Sequence, residues 1–350
     1  MTKQNISTEI KTILVTGVAG FIGAGLAKRL LLSAENIRVV GVDNMNDYYD
    51  VRLKEYRLSE LMAFSNFIFI KGSIANKGFV DDIFNRYSPQ VAVNLAAQAG
   101  VRYSITNPYE YIQSNLIGFF NILEGCRYHP VEHLVYASSS SVYGANKKLP
   151  YSPDDKTDNP ISLYAATKKS NELMASAYSA LYKIPSTALR LFTVYGPMGR
   201  PDMAYFSFTD KLRKGEKIQI FNEGKSKRDF TYIDDAITAI IKILPKAPVE
   251  SPEGARHKIY NIGNGTPQSL LDFVDILQQE LMEAGVIAQD YDFNGHKELV
   301  TMQLGDVEIT YAQVEDLVLD IGFKPSTNLR EGLRRFAVWY KDFYCQGEKL

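Results

Sequence analysis

The stretch Thr12-Ile-Leu-Val-Thr-Gly-Val-Ala-Gly-Phe-Ile-Gly23 decides the fold of this chain. Its first five residues form an apolar, β-branched run, which predicts a buried strand. Three glycines at a spacing of three follow at once, and a helical pattern continues to about Leu32. A strand, a glycine-rich turn and a helix in this order are typical of a dinucleotide-binding unit.

Each residue of this turn has an expected task. Gly17 permits the tight turn, Gly20 lets the backbone approach a pyrophosphate, and Gly23 lets the helix pack close to the strand. The helix start at Phe21 and Ile22 offers free N–H groups and a partial positive charge to the phosphate. The spacing is G-x-x-G-x-x-G rather than the common G-x-G-x-x-G, and a turn that binds nothing is the alternative.

The second strand indicates which dinucleotide would bind. It runs from Arg38 to Val42, and Asp43 and Asn44 follow it. Asp43 lies 20 residues after Gly23, where an acid accepts hydrogen bonds from a ribose diol. Because a carboxylate repels a 2′-phosphate, we expect NAD rather than NADP as the cofactor.

Further strands continue the pattern. Apolar runs at 67–70, 91–95, 133–137 and 186–191 alternate with helical segments. This alternation predicts an α/β fold with a doubly wound parallel sheet. Beyond residue 190 the chain becomes rich in turns and aromatic residues, and residues 224–229 are predicted to form a basic loop. We therefore expect an NAD-binding domain over 1–190, to which 230–258 returns, and a smaller, interleaved mixed α/β substrate domain over 191–350.

A tyrosine and a lysine carry the predicted chemistry. Tyr164 and Lys168 are four residues apart, so on a helix they share one side. A nearby cation favours the phenolate, which makes Tyr164 a candidate general base, with Lys168 and a nicotinamide ring as sources of the lowered pKa. The alternative is an ordinary surface helix. Ser138-Ser-Ser-Ser141 ends the fifth strand, at the sheet edge where ligands bind.

The composition excludes several classes of function. The net charge is -1, which argues against a nucleic acid or an anionic membrane as partner. There is no run of 18 apolar residues, and residues 1–11 are polar, so we expect neither a membrane span nor a secretory signal. Two distant cysteines fit a reducing, cytoplasmic location. The four histidines lack metal-ligand spacing, and we expect no metal site.

Several passages resemble the extended short-chain dehydrogenases that act on nucleotide sugars, which have a Rossmann-type fold. The resemblance is carried by the glycine turn, by Tyr164-x-x-x-Lys168 and by Arg190-Leu-Phe-Thr-Val-Tyr-Gly-Pro197. Finer matches look like the UDP-glucuronate 4-epimerase branch: residues 43–50, 96–104, 199–204 and 227–235. The resemblance covers about residues 11–340.

The resemblance implies roles for further residues. Ser139 would be the catalytic hydroxyl beside Tyr164 and Lys168. Additional cofactor contacts would come from Ser73, Ile74, Leu95, Ala96 and Ala97. A UDP-sugar would be bound by Arg102, Ser139, Ser140, Ser141, Thr193, Arg200, Arg228 and Asp306, with Arg228 at the diphosphate and Arg200 near the uronic acid.

The chain also departs from the family pattern. Ser73 stands where the family usually has an Asp on the adenine amino group, Asn94 replaces a usual His, and Leu304 replaces a frequent Pro. None of these positions bears on the expected proton and hydride chemistry. Ser73 is a shorter, neutral acceptor, which leaves its effect on NAD affinity open.

The expected reaction is 4-epimerisation of UDP-glucuronate to UDP-galacturonate through a 4-keto sugar. Such an intermediate is a β-keto acid that readily loses CO₂, so the carboxylate must be held out of line with the ketone. The hydroxyls of Ser140, Ser141 and Thr193 suit that task. Related decarboxylases carry Glu where Ser141 stands, and related dehydratases carry an Asp-Glu pair at Ser140-Ser141. The absence of an acid favours epimerisation.

Other readings stay open. The substrate could be UDP-glucose or UDP-N-acetylglucosamine, or the enzyme could be a UDP-glucuronate decarboxylase. A non-catalytic dinucleotide-binding regulator on the same fold is a further alternative. The segments 108–128 and 162–182 have apolar residues on more than one side. The resemblance implies a homodimer through a four-helix bundle, and the alternative is burial within one chain. A cell-surface polysaccharide pathway is expected for a uronic acid.

Overall fold

A computed structural model describes residues 11–33, 36–252, 254–302 and 306–345. The predicted polar lead-in over 1–10 and the departure at Leu304 lie outside the described residues. No helix within these ranges is long and apolar enough to cross a membrane.

The strands form one large and two small sheets. Their bounds are β1 Lys11–Thr16, β2 Ile37–Asp43, β3 Phe67–Lys71, β4 Val91–Asn94, β5 His133–Ser139, β6 Ser186–Leu191, β7 Thr193–Tyr195, β8 Ile218–Ile220, β9 Lys227–Tyr232, β10 His257–Ile262, β11 Pro267–Ser269 and β12 Lys297–Leu299. The large sheet has seven strands in the order β10-β6-β5-β4-β1-β2-β3, and all its neighbouring strands pair in parallel. This confirms the predicted doubly wound parallel sheet.

Helices cover the sheet. Their bounds are α1 Phe21–Ser33, α2 Val51–Met62, α3 Lys77–Tyr87, α4 Tyr103–Thr106, α5 Pro108–Tyr111, α6 Gly118–Tyr128, α7 Leu163–Tyr182, α8 Ala204–Arg213, α9 Ile233–Ile243, α10 Leu270–Ala284, α11 Glu315–Ile321 and α12 Leu329–Tyr340. The apolar strands are buried because parallel sheets carry helices on both faces.

The order of the strands in the large sheet determines where a ligand can bind. Strand β1 lies between β2 and β4, so the chain leaves β1 in one direction and later returns on the other side. At such a point the loops after the strands diverge and leave a crevice at their carboxyl ends. The turn after β1 and the residues after β4 form the walls of this crevice, since a Cβ on Gly17 would lie 2.8 Å from the amide nitrogen of Ala96.

The single long helix expected over 108–128 is wrong in detail. A π-helical turn, Ile112–Ile117, separates α5 from α6. The turn directs the buried Asn115 amide towards Gln98, whose backbone N–H and carbonyl it bonds at 2.8 and 3.0 Å, and towards the Thr167 hydroxyl at 3.0 Å. Satisfying these buried groups is the physical reason for the interruption.

The second part of the chain differs from its prediction in one segment. Residues 224–229 were expected as a basic loop, but β9 begins at Lys227 and pairs with β11 and β7. Buried Asp229 explains the order, because its carboxylate accepts backbone N–H groups from Asn264, Gly265 and Ala312. Local composition does not reveal these distant partners.

The 230–258 segment packs where the sequence suggests. Helix α9 contacts α1, and β10, which begins at His257, pairs with β6 at the edge of the large sheet. The division into two domains at about residue 190 stays a prediction.

Candidate active site

A cavity of about 460 Å³ opens at the carboxyl ends of the large sheet. Nearly all the predicted site residues line it: Gly17, Gly20, Phe21, Ile22, Gly23, Asp43, Asn44, Ser73, Ile74, Leu95, Ala96, Ala97, Ser139, Ser140, Ser141, Tyr164, Lys168, Thr193, Arg200, Arg228 and Asp306. Arg102 is the exception. Its guanidinium stacks over Phe221 at 4.9 Å and lies 3.7 Å from the Asp306 carboxylate.

The glycines of residues 17–23, hereafter the glycine turn, stand where the surrounding backbone leaves no space for a Cβ. Gly17 has a φ of +68°, and a Cβ on Gly23 would lie 2.1 Å from the carbonyl oxygen of Gly17. Real Cβ atoms do not come so close to a backbone oxygen, so only glycine fits. With α1 starting at Phe21, the turn presents helix N–H groups to the cavity, and this backbone cradle fits a dinucleotide pyrophosphate.

Asp43 connects the glycine turn to the end of β2. Its two carboxylate oxygens accept the backbone N–H of Ala19 at 3.1 Å and that of Met45 at 2.9 Å. The side chain is 8% exposed and lines the cavity. Ser73 also lines it, and its hydroxyl accepts the N–H of Ala75 at 3.2 Å. The proposed contacts of Asp43 with a ribose and of Ser73 with adenine stay predictions.

Helix α7 carries the candidate base. Ser162 caps it by accepting the N–H of Ala165 at 3.1 Å, which places Tyr164 in the first turn and Lys168 one turn later. The Lys168 ammonium is buried and donates to the Ala137 carbonyl at 2.8 Å. Burial lowers the pKa of Lys168 to about 8.

Burial and three neighbouring side chains shift the pKa of Tyr164. Burial raises the pKa of Tyr164, a hydrogen bond with Ser139 and the positive charge of Arg200 lower it, and the charge of Asp202 raises it. The Lys168 ammonium donates to the Ala137 carbonyl, and its expected effect on the pKa of Tyr164 stays a prediction. Arg200 is a cation of the chain that favours the phenolate.

Ser138–Ser141, the serine row, divides its hydroxyls between two tasks. Ser138 lines the cavity but donates its hydroxyl to the buried Glu172 carboxylate at 2.7 Å. Ser139 Oγ accepts the N–H of Ser141 at 3.1 Å and the hydroxyl of Ser141 at 2.9 Å. Both acceptor sites of Ser139 are thus used, and its own O–H is left to donate to Tyr164 or to a ligand oxygen.

An ion pair that the sequence did not indicate stands at the sugar end of the cavity. Arg200 donates to Asp202 through Nε at 3.0 Å and Nη2 at 2.6 Å. The hydroxyl of Tyr48 donates to the same carboxylate at 3.2 Å. The 199–204 passage contains Asp202 beside Arg200, but only their geometry shows that the two are paired. Arg200 keeps its remaining N–H groups for a ligand.

At the other end of the cavity, Arg228 is partly exposed. Its guanidinium donates to the carbonyls of Lys227 and Glu308, both at 3.0 Å. Burial lowers the pKa of Arg228, and the Asp306 charge partly offsets this effect. Arg228 lines the cavity, and a guanidinium is a suitable donor for a diphosphate.

The comparisons with known proteins agree with this geometry. The sequence profile of the NAD dependent epimerase/dehydratase family matches residues 13–263. Protein CapI of Staphylococcus aureus is 48% identical over 95% of this chain and 99% of its own length. The probable UDP-glucuronate 4-epimerase of Rhizobium meliloti is 43% identical over 95% of this chain and 97% of its own length.

A solved structure is also similar. The UDP-glucuronic acid 4-epimerase of Bacillus cereus, crystallised with UDP-glucuronic acid and NAD, superposes with a TM-score of 0.84 at 30% identity. The match covers 95% of this chain and all of that one. Fold, glycine turn and family profile lead to one conclusion: the chain belongs to the NAD dependent epimerase/dehydratase family.

Proposed function

We propose that this protein is an NAD-dependent 4-epimerase that interconverts UDP-glucuronate and UDP-galacturonate. The observation that carries the proposal is the sugar end of the cavity, where Tyr164, Ser139 and Lys168 stand beside Arg200. The serine row adds three hydroxyls to the cavity and no carboxyl group. Relatives and a solved structure with the same activity in their names support the substrate.

The glycine turn and Asp43 would hold NAD, with the pyrophosphate at the start of α1. NAD held there would supply the hydride acceptor for oxidation at C4 of the sugar and the hydride donor for its reduction. Lys168 would hold the nicotinamide ribose from the floor of the cavity. The cofactor is regenerated in each cycle, so the net reaction is an isomerisation.

Tyr164 would remove the proton from the 4-hydroxyl as the carbon is oxidised. Ser139 donates its one free O–H, which can move from Tyr164 to the sugar oxygen as that oxygen becomes a ketone. The positive charge of Arg200 assists, because it lowers the pKa of Tyr164. These three side chains thus supply a base, a hydrogen bond to the reacting oxygen, and the local charge.

The carboxylate of the sugar needs its own binding site. Ser140, Ser141 and Thr193 line the cavity beside Arg200, and hydroxyl and guanidinium groups are suitable donors for a carboxylate. Ser141 would donate to it only after its O–H turns away from Ser139. Held by these donors, the C5–carboxylate bond stays out of line with the C4 ketone, and CO₂ is retained. At the opposite end, Arg228 would bind the diphosphate.

The direct experiment uses the purified protein, UDP-glucuronate and no added cofactor. We expect UDP-galacturonate to form until the two sugars reach equilibrium, because NAD remains bound from expression. Formation of UDP-xylose would instead identify a decarboxylase. Turnover of UDP-glucose or UDP-N-acetylglucosamine in parallel reactions, with UDP-glucuronate unchanged, would identify a different epimerase.

We also propose a homodimer formed by α6, α7 and their copies. Apolar side chains on these helices are exposed, among them Leu173 at 60% and Leu181 at 70%. A second copy of the same helices would bury them in a four-helix bundle. Light scattering should show a dimer that Leu173→Glu together with Leu181→Glu converts to monomer. Leu32→Glu, on the exposed side of α1, is the matched control.

The cellular setting is part of the proposal. A cytoplasmic location is supported by the buried free thiol of Cys126, which an oxidising compartment would not favour. Supply of a uronic acid to a cell-surface polysaccharide fits the proposed product. Fractionation of cells that express the full chain tests the location.

A further inference from the structure

Arg57, in α2, is a fully buried arginine that lies outside the cavity and has no part in the proposed chemistry. It is 1% exposed, and among the described residues no carboxylate lies within ion-pair distance of it. A buried charge without a counter-ion is costly unless every donor is satisfied. The burial of Arg57 therefore depends on the groups that accept its hydrogen bonds.

All five N–H groups of Arg57 have neutral oxygen acceptors. Nη1 donates to the carbonyl of Ala19 at 3.0 Å and to the hydroxyl of Tyr49 at 2.8 Å. Nε donates to the carbonyl of Met198 at 3.1 Å. Nη2 donates to that same carbonyl and to the carbonyl of Gly199 at 3.0 Å. One guanidinium thus joins three chain segments.

Two of these segments carry the ends of the cavity. Ala19 belongs to the glycine turn, and Met198 and Gly199 precede Arg200 in the segment 196–202, hereafter the substrate turn. Met198 adopts a φ of +58°, which is unfavourable for a residue with a side chain and must be held by its surroundings. Its carbonyl accepts two N–H groups of Arg57.

The substrate turn is held from its other side as well. A Cβ on Gly199 would lie 1.6 Å from the hydroxyl oxygen of the buried Tyr205, so the turn packs directly on that ring. The turn is therefore fixed between Tyr205 and the Arg57 guanidinium. Its conformation sets where Arg200 enters the cavity.

We propose that Arg57 is a positioning residue that joins the glycine turn to the substrate turn, so that retention of the dinucleotide and selection of a uronate depend on one buried side chain. The uronate part rests on the proposed function. The planar fork of arginine is required, because its donors reach carbonyls on two turns at once. A lysine ammonium has three donors and one centre, and it cannot reproduce these contacts.

The test compares Arg57→Lys with Arg200→Met and with Arg52→Met, a control on the same helix whose side chain is 79% exposed. All variants also carry Tyr164→Phe, which prevents turnover during binding measurements. Two quantities are measured on the holoprotein: the rate of NAD release, and the ratio of the Kd for UDP-glucose to the Kd for UDP-glucuronate. Circular dichroism confirms that each variant is folded.

We expect Arg57→Lys to lower the Kd ratio about tenfold and to speed NAD release at least about fivefold, the scale of one or two lost charge-assisted hydrogen bonds. Arg200→Met should lower the ratio alone, and Arg52→Met should change neither quantity. If Arg57→Lys does not fold, Tyr49→Phe, which removes one acceptor, should change both quantities in the same directions but less.

Unchanged NAD release in folded Arg57→Lys would overturn the proposal, as would a change of equal size in Arg52→Met. A ratio near one in the parent protein would count against the proposed substrate and not against Arg57. In that case faster NAD release in Arg57→Lys, but not in Arg200→Met, still supports the joining role, and equal release in both overturns it.

Discussion

The two halves of the cavity are built from different parts of the chain. In the half lined by the glycine turn and Asp43, hereafter the nucleotide half, the glycine turn approaches the backbone after β4 so closely that a side chain on Gly17 has no room. In the half lined by Tyr164, Lys168 and Arg200, hereafter the sugar half, polar side chains set the shape. Arg200 pairs with Asp202, and Lys168 donates to the Ala137 carbonyl. Backbone atoms thus define the shape of the nucleotide half, and charged side chains define that of the sugar half.

This difference determines how each half should respond to substitution. A change in the nucleotide half acts through steric overlap and should reduce stability and cofactor binding together. A change in the sugar half acts through charge and proton position, so activity, pH dependence and stability can move in different directions. Four predictions, each with a control substitution, test this contrast.

Tyr164→Phe should have the largest effect. It removes the proposed base and keeps the ring, so we expect kcat to fall by about a hundredfold to ten-thousandfold while the fold is unchanged. Turnover of UDP-glucuronate measures the loss. Tyr178→Phe, on the same helix with its hydroxyl on Glu124, is the matched control and should retain most of the activity. Comparable rates for the two variants would remove Tyr164 from its proposed role.

Gly23→Ala should have the next largest effect. The new Cβ would lie 2.1 Å from the Gly17 carbonyl oxygen, and the backbone must move to accept it. We expect a loss of about 3 kcal/mol in the free energy of unfolding, the upper range for overpacking, together with loss of bound NAD.

Gly25→Ala is the control for the same helix. There the new Cβ would meet only the tip of the Ile237 side chain, at 2.5 Å, and that tip can rotate away. Denaturant unfolding and NAD content measure both variants, and we expect Gly25→Ala to stay within about 1 kcal/mol of the parent. An equal effect of the two substitutions would contradict the view that backbone contact shapes this half.

Lys168→Met should stabilise the protein while it abolishes activity. Burial lowers the pKa of Lys168 to about 8 from an ordinary value of 10.5, so its charged form costs about 3 kcal/mol in the folded state. The Ala137 carbonyl loses its donor in the variant, which offsets part of the gain. We expect a net gain of about 1 kcal/mol at pH 7.

The pH dependence of this gain has a defined sign. Between pH 8 and 10.5 the unfolded chain binds the Lys168 proton and the folded chain does not, so the parent protein becomes more stable as pH rises. The advantage of Lys168→Met is therefore greatest below pH 8 and fades towards pH 10.5. Lys169→Met, one residue along α7, should show no such advantage, because Lys169 is paired with Glu172.

The same contrast explains what could be predicted from the sequence. The nucleotide half is encoded by short, local spacings, so the glycine turn, Asp43 and the parallel sheet followed from neighbouring residues. The sugar half is assembled from β5, α7, β7 and the substrate turn, which are distant in the chain. Resemblance supplied Arg200, but its pairing with Asp202 and the contacts of Arg57 depend on tertiary packing.

The pKa of Tyr164 depends on contacts that the spacing of residues along the chain does not reveal. The i, i+4 spacing placed Lys168 beside Tyr164 correctly, yet the lysine ammonium is directed to a backbone carbonyl. Spacing on a helix indicates which side chains share a face and not which hydrogen bonds they choose. Arg200, a cation that lowers the pKa of Tyr164, lies about 36 residues later in the sequence.

The smallest expected effect concerns the two charges near Tyr164. Arg200 lowers the pKa of Tyr164 and Asp202 raises it. Asp202→Asn removes the negative charge, so the acidic limb of kcat/KM against pH should move to lower pH. Arg200→Met removes the positive charge and should move the same limb to higher pH.

Because the two shifts have opposite directions, they distinguish an effect of charge on the pKa of Tyr164 from an effect of packing. Loss of packing at either residue would lower the plateau rate but would not move the limb in opposite senses. Other groups near Tyr164 stay the same in both variants: Lys168 on its own helix, and Tyr111, whose ring lies edge-on at 6.0 Å. Asp306→Asn removes an equal charge beside Arg102 and Arg228 and should leave the limb in place. A charge effect must reverse when the sign of the removed charge reverses. Shifts of the limb in the same direction in Asp202→Asn and Arg200→Met would therefore show that the ion pair acts by holding the substrate turn in place and not through its charges.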